Sequence, residues 1–438
     1  MKVKRYPSYK TGLSKNISLL PEHWAELPLK RLFRLEKREP LESDEIVTAF
    51  RDGTVTLRKN RREDGFTNAL KEIGYQRIHR NDLVIHAMDA FAGAIGVSDA
   101  DGKSSPVYSA CTATQDANPC FYAYYLRDLA LRGFIESLAK GVRERSTDFR
   151  WSGASMVAVP VPPQSEQLAI ASFLDRETAK IDALIAEQQR LIELLQEKRQ
   201  AVISHAVTKG LNPNAPMKDS GVEWLGEVPE HWTICPLKHF CKITTGFAFK
   251  SDEFQDEGIP LVRISDIQSD GTVDLKDAKY LKESELIDHP RETLKHGDIA
   301  MAMTGGTIGK AGIYSSSEPA LLNQRVCIFR AKPDCSQAFL WLITASRFYQ
   351  EHIKLSSFGG AQPNISDGDL LACICPIPPL AEQEEISAFI DSQAAKLGEL
   401  KRKAESTIEL LNERRSALIS AAVIGQIDVR GLATEEEP

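Results

Sequence analysis

The sequence lacks the signals that mark membrane, secreted and zinc-binding proteins. No apolar run approaches the roughly 20 residues that a membrane-spanning helix needs. The first ten residues, MKVKRYPSYK, have no apolar core of the kind found in secretion signals. The eight cysteines form no CxxC pair, and no metal-ligand spacing is present. We therefore expect a cytoplasmic protein with reduced thiols and no bound metal.

Complete enzyme motifs are also missing. GGTIGK at 305–310 is one residue too short between its glycines for a phosphate loop, and Ala311 replaces the Ser or Thr that would bind magnesium. The segment 89–93 is similar to a glycine loop that binds S-adenosylmethionine. Gly93 and the nearby Gly96 align with Gly309 and Gly312, where the acidic and aromatic positions are absent, so we interpret the shared glycine pair as a tight turn between strands. We predict that the chain is not an enzyme.

Much of the sequence is present twice. VPVPPQSEQLAIASFLD (159–175) matches CPIPPLAEQEEISAFID (375–391) at an offset of 216 residues. The same offset relates IELLQEKRQAVISHAV (192–207) to IELLNERRSALISAAV (408–423). The order is therefore a variable block, a repeated helix, a second variable block and a second repeated helix. Two copies of one unit predict two similar binding faces.

Each repeated segment predicts a long helix with one apolar seam. Pro162 and Pro163 prevent an earlier start and Gly210 ends the first helix, so the predicted helices are 164–209 and 380–424. Polar breaks in the heptad pattern favour burial against one partner, so we predict that the helices pack together as an antiparallel coiled coil. Self-association into a multi-chain coiled coil is the alternative. The predicted seam is Ile170, Leu174, Ile181, Leu184, Leu191, Leu195, Val202, Ile386, Ile390, Leu397, Leu400, Leu411 and Leu418.

The variable blocks predict two similar α+β domains, because short β-rich runs alternate with turns and are followed by helical stretches at 120–138 and 337–353. PEHW occurs in both blocks. A surface that recognises different targets is expected to differ between the two copies, so a motif that is identical in both more often has a structural role. Its tryptophans, Trp24 and Trp232, are therefore predicted to be core anchors. The predicted domains are 1–163 and 226–379, with a turn-rich linker at 210–225 and an acidic tail at 425–438.

Charge is unevenly distributed along the chain. The formal net charge is −7, but basic residues concentrate in 51–80 and 143–150. Arg and Lys neutralise phosphates, and Arg, Gln and Asn can form paired hydrogen bonds with base edges. The candidate DNA-binding residues are Arg58, Lys59, Arg61, Arg62, Arg77, Arg143, Arg145 and Arg150 in the first block, and Lys242, Thr244, Thr245, Lys250, Arg263, Lys310, Gln324, Arg325, Gln362 and Asn364 in the second.

The repeated motifs resemble the conserved regions of type I restriction-modification specificity subunits, the HsdS family. The resemblance is carried by PPxxEQxxI at the start of each helix (162–170 and 378–386), by KDSGVEWLGEVPEHW (218–232), by TGGTIGKAGIY with NQRVCIF, and by GGAQPNIS (359–366). It implies two target-recognition domains, each reading one half of an asymmetric bipartite sequence in double-stranded DNA. The helices are then expected to set the gap between the half-sites and to dock two modification subunits.

The resemblance also implies where the chemistry resides. Methyl transfer and cleavage are expected on the modification subunits and on restriction subunits of the full complex, which use S-adenosylmethionine, ATP and magnesium, while this chain binds no cofactor. The first block departs from the family pattern, because TDFRW (147–151) replaces PNISD (363–367), so family roles transfer more securely to the second block. The alternatives are a coiled-coil scaffold that grips protein partners and a self-sufficient DNA methyltransferase.

Overall fold

The computed structural model describes residues 4–61, 72–138, 149–358 and 363–432. The chain forms two compact units, one of Met1–Gln188 with Ser406–Pro438 and the other of Gln189–Glu405. Each unit therefore contains one variable block and one part of each long helix. Among the described helices, none combines the length and the hydropathy that crossing a bilayer requires.

The first unit has a four-stranded antiparallel sheet at its centre. Its strands are β1 (Tyr9–Thr11), β2 (Leu19–Pro21), β3 (Ala25–Pro28), β4 (Phe33–Leu35), β5 (Val47–Ala49), β6 (Val55–Leu57), β7 (Gln76–Ile78), β8 (Leu83–His86), β9 (Ile95–Val97), β10 (Gly102–Ser104), β11 (Tyr108–Ala113) and β12 (Ala158–Val161). The central sheet has the order β4–β11–β8–β9, and the remaining strands pair as β1–β2, β3–β12, β5–β6 and β7–β10.

Three short helices accompany these strands, namely α1 (Pro119–Leu131), α2 (Phe134–Ser137) and α3 (Trp151–Ala154). Helix α1 packs against β8 and β9, and its buried residues Phe121, Tyr122 and Leu126 belong to the main core. The helical stretch predicted at 120–138 is two helices, because Gly133 has a φ of +77° and breaks the helical path. The first long helix, α4, then runs from Gln164 to Lys209.

The second unit repeats this arrangement. Its strands are β13 (Met217–Asp219), β14 (Glu227–Pro229), β15 (Thr233–Pro236), β16 (Cys241–Thr245), β17 (Ile259–Val262), β18 (Lys279–Leu281), β19 (Thr293–Leu294), β20 (Ile299–Ala302), β21 (Ala311–Ile313), β22 (Ala320–Leu322), β23 (Val326–Ala331) and β24 (Ile374–Ile377). The sheet β16–β23–β20–β21 corresponds to β4–β11–β8–β9, and a further sheet has the order β18–β17–β22–β19.

The helices of the second unit are α5 (Glu285–Asp288), α6 (Gln337–Ala345), α7 (Arg347–Ser356), α8 (Asp367–Ala372) and the long helix α9 (Leu380–Val423). The helical stretch predicted at 337–353 is also divided in two. Ser346 adopts an extended conformation there, and its hydroxyl accepts a hydrogen bond from the Tyr349 amide at the start of α7.

The long helices run antiparallel within each unit. In the first unit, Ile170 and Leu174 near the start of α4 share a core with Ala422 and Val423 at the end of α9. In the second unit the relation is reversed: the end of α4 shares a core with the start of α9, through Ile203, Ala206, Val207, Ile386 and Ile390. The predicted α+β fold with a duplicated antiparallel helix pair is confirmed.

The predicted heptad seam is wrong at three positions. Leu184, Leu191 and Leu400 are 44%, 40% and 48% exposed. A straight α-helix has 3.6 residues per turn, whereas a heptad repeat places apolar residues every 3.5 residues on average. Residues chosen by the heptad repeat therefore rotate gradually away from the face that contacts the other helix. The other seam residues are buried (Ile170, Leu174, Ile181, Leu195, Ile386, Ile390 and Leu397) or partly buried (Val202, Leu411 and Leu418).

The segment after α9 differs from the predicted acidic tail. Val429 is fully buried in the core of the first unit, and the Asp428 amide donates to the Lys4 carbonyl over 2.8 Å. No periodic pattern of apolar residues after 424 predicts this packing. The acidic residues at 435–437 lie outside the described residues.

Candidate nucleic-acid interface

A carboxylate from the first turn of each long helix fixes the preceding PEHW motif. In the first unit, Glu166 accepts hydrogen bonds from the Trp24 indole (3.0 Å), the Tyr6 hydroxyl (3.1 Å) and the His23 ring (2.8 Å). Arg430 lies 3.5 Å from the same carboxylate. Burial, followed by the charge of Glu166, raises the pKa of Tyr6 well above its usual range, so its hydroxyl stays a donor. We call this cluster the first carboxylate latch.

The second unit contains the corresponding second carboxylate latch. Glu382 accepts from the Trp232 indole (3.1 Å) and from the His231 ring (2.7 Å). Trp24 is 0% and Trp232 is 1% exposed, which confirms that the repeated tryptophans are core anchors. The Glu of PPxxEQ is therefore repeated because it is the acceptor for a buried indole N–H.

The Gln of the same motif ties each long helix to a second element. The Gln167 amide donates to the Pro162 and Asp116 carbonyls and accepts from the Asn118 amide, which lies at the start of α1. In the second unit Gln383 makes the same three bonds, with Pro378, Asp334 and Ser336 at the start of α6. Each recognition block is thus attached to its helix at two points.

Backbone hydrogen bonds join three distant segments at the same place in both units. The segments are the residue after β8 or β20, the turn before β11 or β23, and the loop before the short helix α3 or α8. Corresponding positions in the first and last of these segments are 216 residues apart. The bonds, written from amide to carbonyl, are Phe149 to Ala87 and Ala87 to Val107 in the first unit, and Ile365 to Met303 and Met303 to Arg325 in the second.

In the second unit these segments form a cavity with polar walls. It has a volume of about 360 Å³ and is lined by Met303, Thr304, Gln324, Arg325, Asn364 and Ile365. Gln324 and Arg325 are exposed, and their side chains have no hydrogen bond or ion pair to any other described residue. The Thr304 hydroxyl is buried and also lacks a partner there. We call this the second-unit cavity. Its unsatisfied guanidinium and amide groups can bind the edge of a base.

In the first unit the corresponding cavity has different walls. It has a volume of about 790 Å³ and is lined by Leu35, Lys37, Arg38, Glu39, Gly74, Tyr75, Gln76, Pro106, Val107, Tyr108, Ser109, Arg150, Trp151 and Ser152. Pro106 and Val107 take the places of Gln324 and Arg325, and the aromatic residues Tyr75, Tyr108 and Trp151 are among the lining residues. We call this the first-unit cavity. The two units therefore present different chemistry at one shared position.

The basic candidates of the first block are largely paired with carboxylates. Lys59 pairs with Glu45, Arg61 with Asp52, and Arg77 with Asp44, while Arg58 donates to the Thr48 hydroxyl. Although burial opposes ionisation of Asp52, hydrogen bonds from Arg61 and Thr54 lower its pKa to about 2. These pairs weaken the positive surface that the sequence predicts here. Arg150 lines the first-unit cavity, and the candidates Arg62, Arg143 and Arg145 lie outside the described residues.

The structure brings together three candidates of the second block, namely Gln324, Arg325 and Asn364. The others lie elsewhere: Lys242, Thr244 and Thr245 on β16, Lys250 just before a 3-10 turn, and Lys310 in another cavity of the second unit, beside Trp341. Arg263 is held by Asp266 and by the Asp277 carbonyl, so it is not a free phosphate ligand. Gln362 lies outside the described residues.

Sequence reasoning missed the aromatic residues of the first-unit cavity, Tyr75, Tyr108 and Trp151. Trp151 belongs to the TDFRW segment, which differs in sequence from the corresponding PNISD segment of the second block. That difference could have indicated that Trp151 belongs to the site. Tyr75 and Tyr108 precede or begin strands and show no pattern that separates them from core residues. Their common cavity becomes visible only once the backbone bonds between segments are known.

Known proteins share this architecture. Residues 229–410 match the family model of the type I restriction modification DNA specificity domain. The type I restriction enzyme MjaVIII specificity subunit of Methanocaldococcus jannaschii is 28% identical over 378 residues, covering 84% of this chain and 85% of that protein. The EcoKI specificity subunit of Escherichia coli is 23% identical over 444 residues, covering 93% and 90%.

Two solved structures have the same fold. One, from work on complex assembly and conformational transition of the type I R-M system, superimposes with a TM-score of 0.66 at 18% identity over 93% of this chain and 99% of that one. The other is the HsdS subunit of Thermoanaerobacter tengcongensis, with a TM-score of 0.53 at 17% identity over 93% and 98%.

The fold and the paired cavities define a duplicated binding protein whose two halves share a scaffold and differ at their sites. Residues 229–410 match the type I restriction modification DNA specificity domain, and over most of its length the chain is similar to type I restriction enzyme specificity subunits.

Proposed function

We propose that this chain is the DNA-reading subunit of a type I restriction-modification complex. Each unit reads one half of a bipartite target in double-stranded DNA, and the two half-sites differ. The observation that carries the proposal is the pair of corresponding cavities. Two half-sites of different sequence need binding surfaces of different chemistry, and the two units have cavities lined by different residues on the same fold. The chain supplies sequence selection and does not itself catalyse methyl transfer or cleavage.

The partners of the complex supply the chemistry in this proposal. Two modification subunits bind S-adenosylmethionine and transfer methyl groups, and restriction subunits use ATP and magnesium. The chain acts with them in the cytoplasm. The long helices provide the docking surface, because each unit exposes the same pair of leucines, one from each helix and each 216 positions from its counterpart in the other unit. These are Leu184 and Leu410 in the first unit and Leu400 and Leu194 in the second.

Arg325 offers the most direct test of base reading. A bidentate contact from arginine to guanine discriminates by about 1–3 kcal/mol, so we expect Arg325→Ala to relax one position of the second half-site by roughly 5- to 150-fold. The measurement is the methylation pattern of host DNA when the variant is expressed with its genomic neighbours. Loss of selectivity at a single position, with the first half-site unchanged, is the expected outcome.

A matched control separates base reading from general electrostatic attraction. Lys250 is exposed on the same unit and lies outside the second-unit cavity. Lys250→Ala removes one positive charge as Arg325→Ala does, and we expect it to leave the recognised sequence unchanged. If both variants weaken methylation equally at all sites, Arg325 contributes charge and does not read a base.

The long helices are proposed to set the gap between the half-sites. Adding seven residues after Gln188 and seven after Ala404 lengthens each helix by about 10 Å, which corresponds to roughly three base pairs of DNA. We expect the methylated motif to keep both half-sites and to gain a longer gap. The same seven residues added after Pro213, in an exposed turn, serve as the control and leave the gap unaltered. An unchanged gap in the helix variant contradicts the proposal.

A further inference from the structure

Three aromatic residues line the first-unit cavity, which favours a flat ring system as its ligand. Tyr75 and Trp151 are partly buried, and neither the Tyr75 hydroxyl nor the Trp151 indole N–H is bonded within the described part of the chain. Tyr108 is fixed by its contact with the His86 ring (centroids 4.5 Å apart) and by a hydrogen bond from the Gln76 amide to its carbonyl. Aromatic side chains can stack on a flat ligand, and the unbonded Trp151 indole N–H can donate to its edge.

The corresponding position of the second unit has no such rings. The second-unit cavity is less than half as large, and its walls carry Gln, Arg and Asn side chains suited to base edges in an intact groove. Aromatic side chains contribute little to that kind of reading, because bases in a duplex present their edges and hide their faces.

We propose that the first-unit cavity receives a nucleobase that has left the base stack of the target DNA. This inference rests on the proposed function and assigns the two units different ways of reading. The second unit reads base edges in the duplex, whereas the first unit stacks one extruded base against Tyr75, Tyr108 and Trp151. Extrusion costs least for a base that has already lost its pairing partner, and methyltransferases create such a base when they flip their target.

Charge at the cavity is consistent with a nucleotide as the occupant. Lys37 lies on its wall, is exposed, and can contact a phosphate that flanks an extruded base. Arg38 is already held by Asp82 and by the Thr112 hydroxyl, so it supports the wall and is not a free ligand. Burial raises the pKa of the Tyr108 hydroxyl to about 12, so this ring remains neutral beside the incoming base.

The test uses the chain assembled with its modification subunits and DNA that carries the mapped methylation motif. In each duplex, one position of the first half-site is replaced by 2-aminopurine, whose emission changes when it leaves the stack. We expect an emission change at one position. We also expect Tyr75→Ala to weaken binding by roughly tenfold, the effect of losing one base–aromatic stack, and Tyr75→Phe to bind as the unmodified chain does.

Binding to an abasic duplex shows whether Tyr75→Ala weakens binding through lost stacking or through damage to the fold. With the base removed at the responsive position, Tyr75→Ala and the unmodified chain are expected to bind equally. Equal weakening of the variant on intact and abasic DNA, or selective binding without an emission change at any position, overturns the inference and leaves the proposed function standing. Absence of a methylated motif and of sequence-selective binding overturns the proposed function itself.

Discussion

Glu166→Ala is expected to lower the free energy of unfolding of the first unit by about 3 kcal/mol. The substitution removes the acceptor shared by Trp24 and Tyr6, which are 0% and 3% exposed. A buried donor that loses its partner costs about 1–3 kcal/mol, and two such donors are left here. The measurement is urea unfolding of the unmodified and variant chains, followed by tryptophan fluorescence.

Glu382→Ala is the matched comparison, because it removes the corresponding carboxylate from the second unit. The Glu382 side chain is 25% exposed against 7% for Glu166, and it has two partners in place of four. Water can therefore replace some of the lost hydrogen bonds, and we expect the free energy of unfolding to decrease by about 1 kcal/mol. Equal decreases for the two variants, or none for Glu166→Ala, contradict this account of the first carboxylate latch.

The first carboxylate latch shows what the sequence can and cannot predict. The repetition of PEHW predicted that Trp24 belongs to the core, and the structure confirms it. Nothing in the sequence indicated that Tyr6 and Arg430, near opposite ends of the chain, share the Glu166 carboxylate. Hydrogen bonds and ion pairs between residues far apart in sequence depend on how the folded segments pack together. A local periodic pattern in the sequence does not predict them.

The same limit applies to the candidate site. Residue type identified Gln324, Arg325 and Asn364 one by one, but their common cavity depends on the bonds from Ile365 to Met303 and from Met303 to Arg325. The long helices were predicted to within one residue at their ends because their pattern is local and extended. Their exposed leucines were misassigned, since a heptad pattern does not distinguish a leucine buried within the chain from one available to a partner chain.

Lysine at the exposed leucines is expected to prevent assembly with the modification subunits. Leu184 and Leu400 are 216 positions apart, as are Leu194 and Leu410, and all four are between 44% and 61% exposed. The first unit therefore exposes Leu184 with Leu410, and the second exposes Leu400 with Leu194. In the proposed complex, two identical modification subunits need the same contact on each unit, and we propose that this repeated pair of leucines provides it.

The four-lysine variant (L184K, L194K, L400K and L410K) is expected to bind modification subunits at least 100-fold more weakly and to lose methylation in cells. Each leucine loses on the order of 1 kcal/mol of apolar burial, and an ammonium group would have to be buried in its place. Changing only Leu184 and Leu410 is expected to leave one modification subunit bound instead of two, as measured by the mass of the purified complex.

Leu168→Lys provides the control. Leu168 is 58% exposed on helix α4, but the corresponding residue of α9 is Glu384, so this leucine is not part of a repeated surface. We expect Leu168→Lys to assemble and methylate as the unmodified chain does. Loss of assembly in this variant would mean that any charge added to the helix prevents docking. Normal assembly of the four-lysine variant would move the docking surface away from the repeated leucines, and the duplication of the helices would then serve the spacing of the half-sites alone.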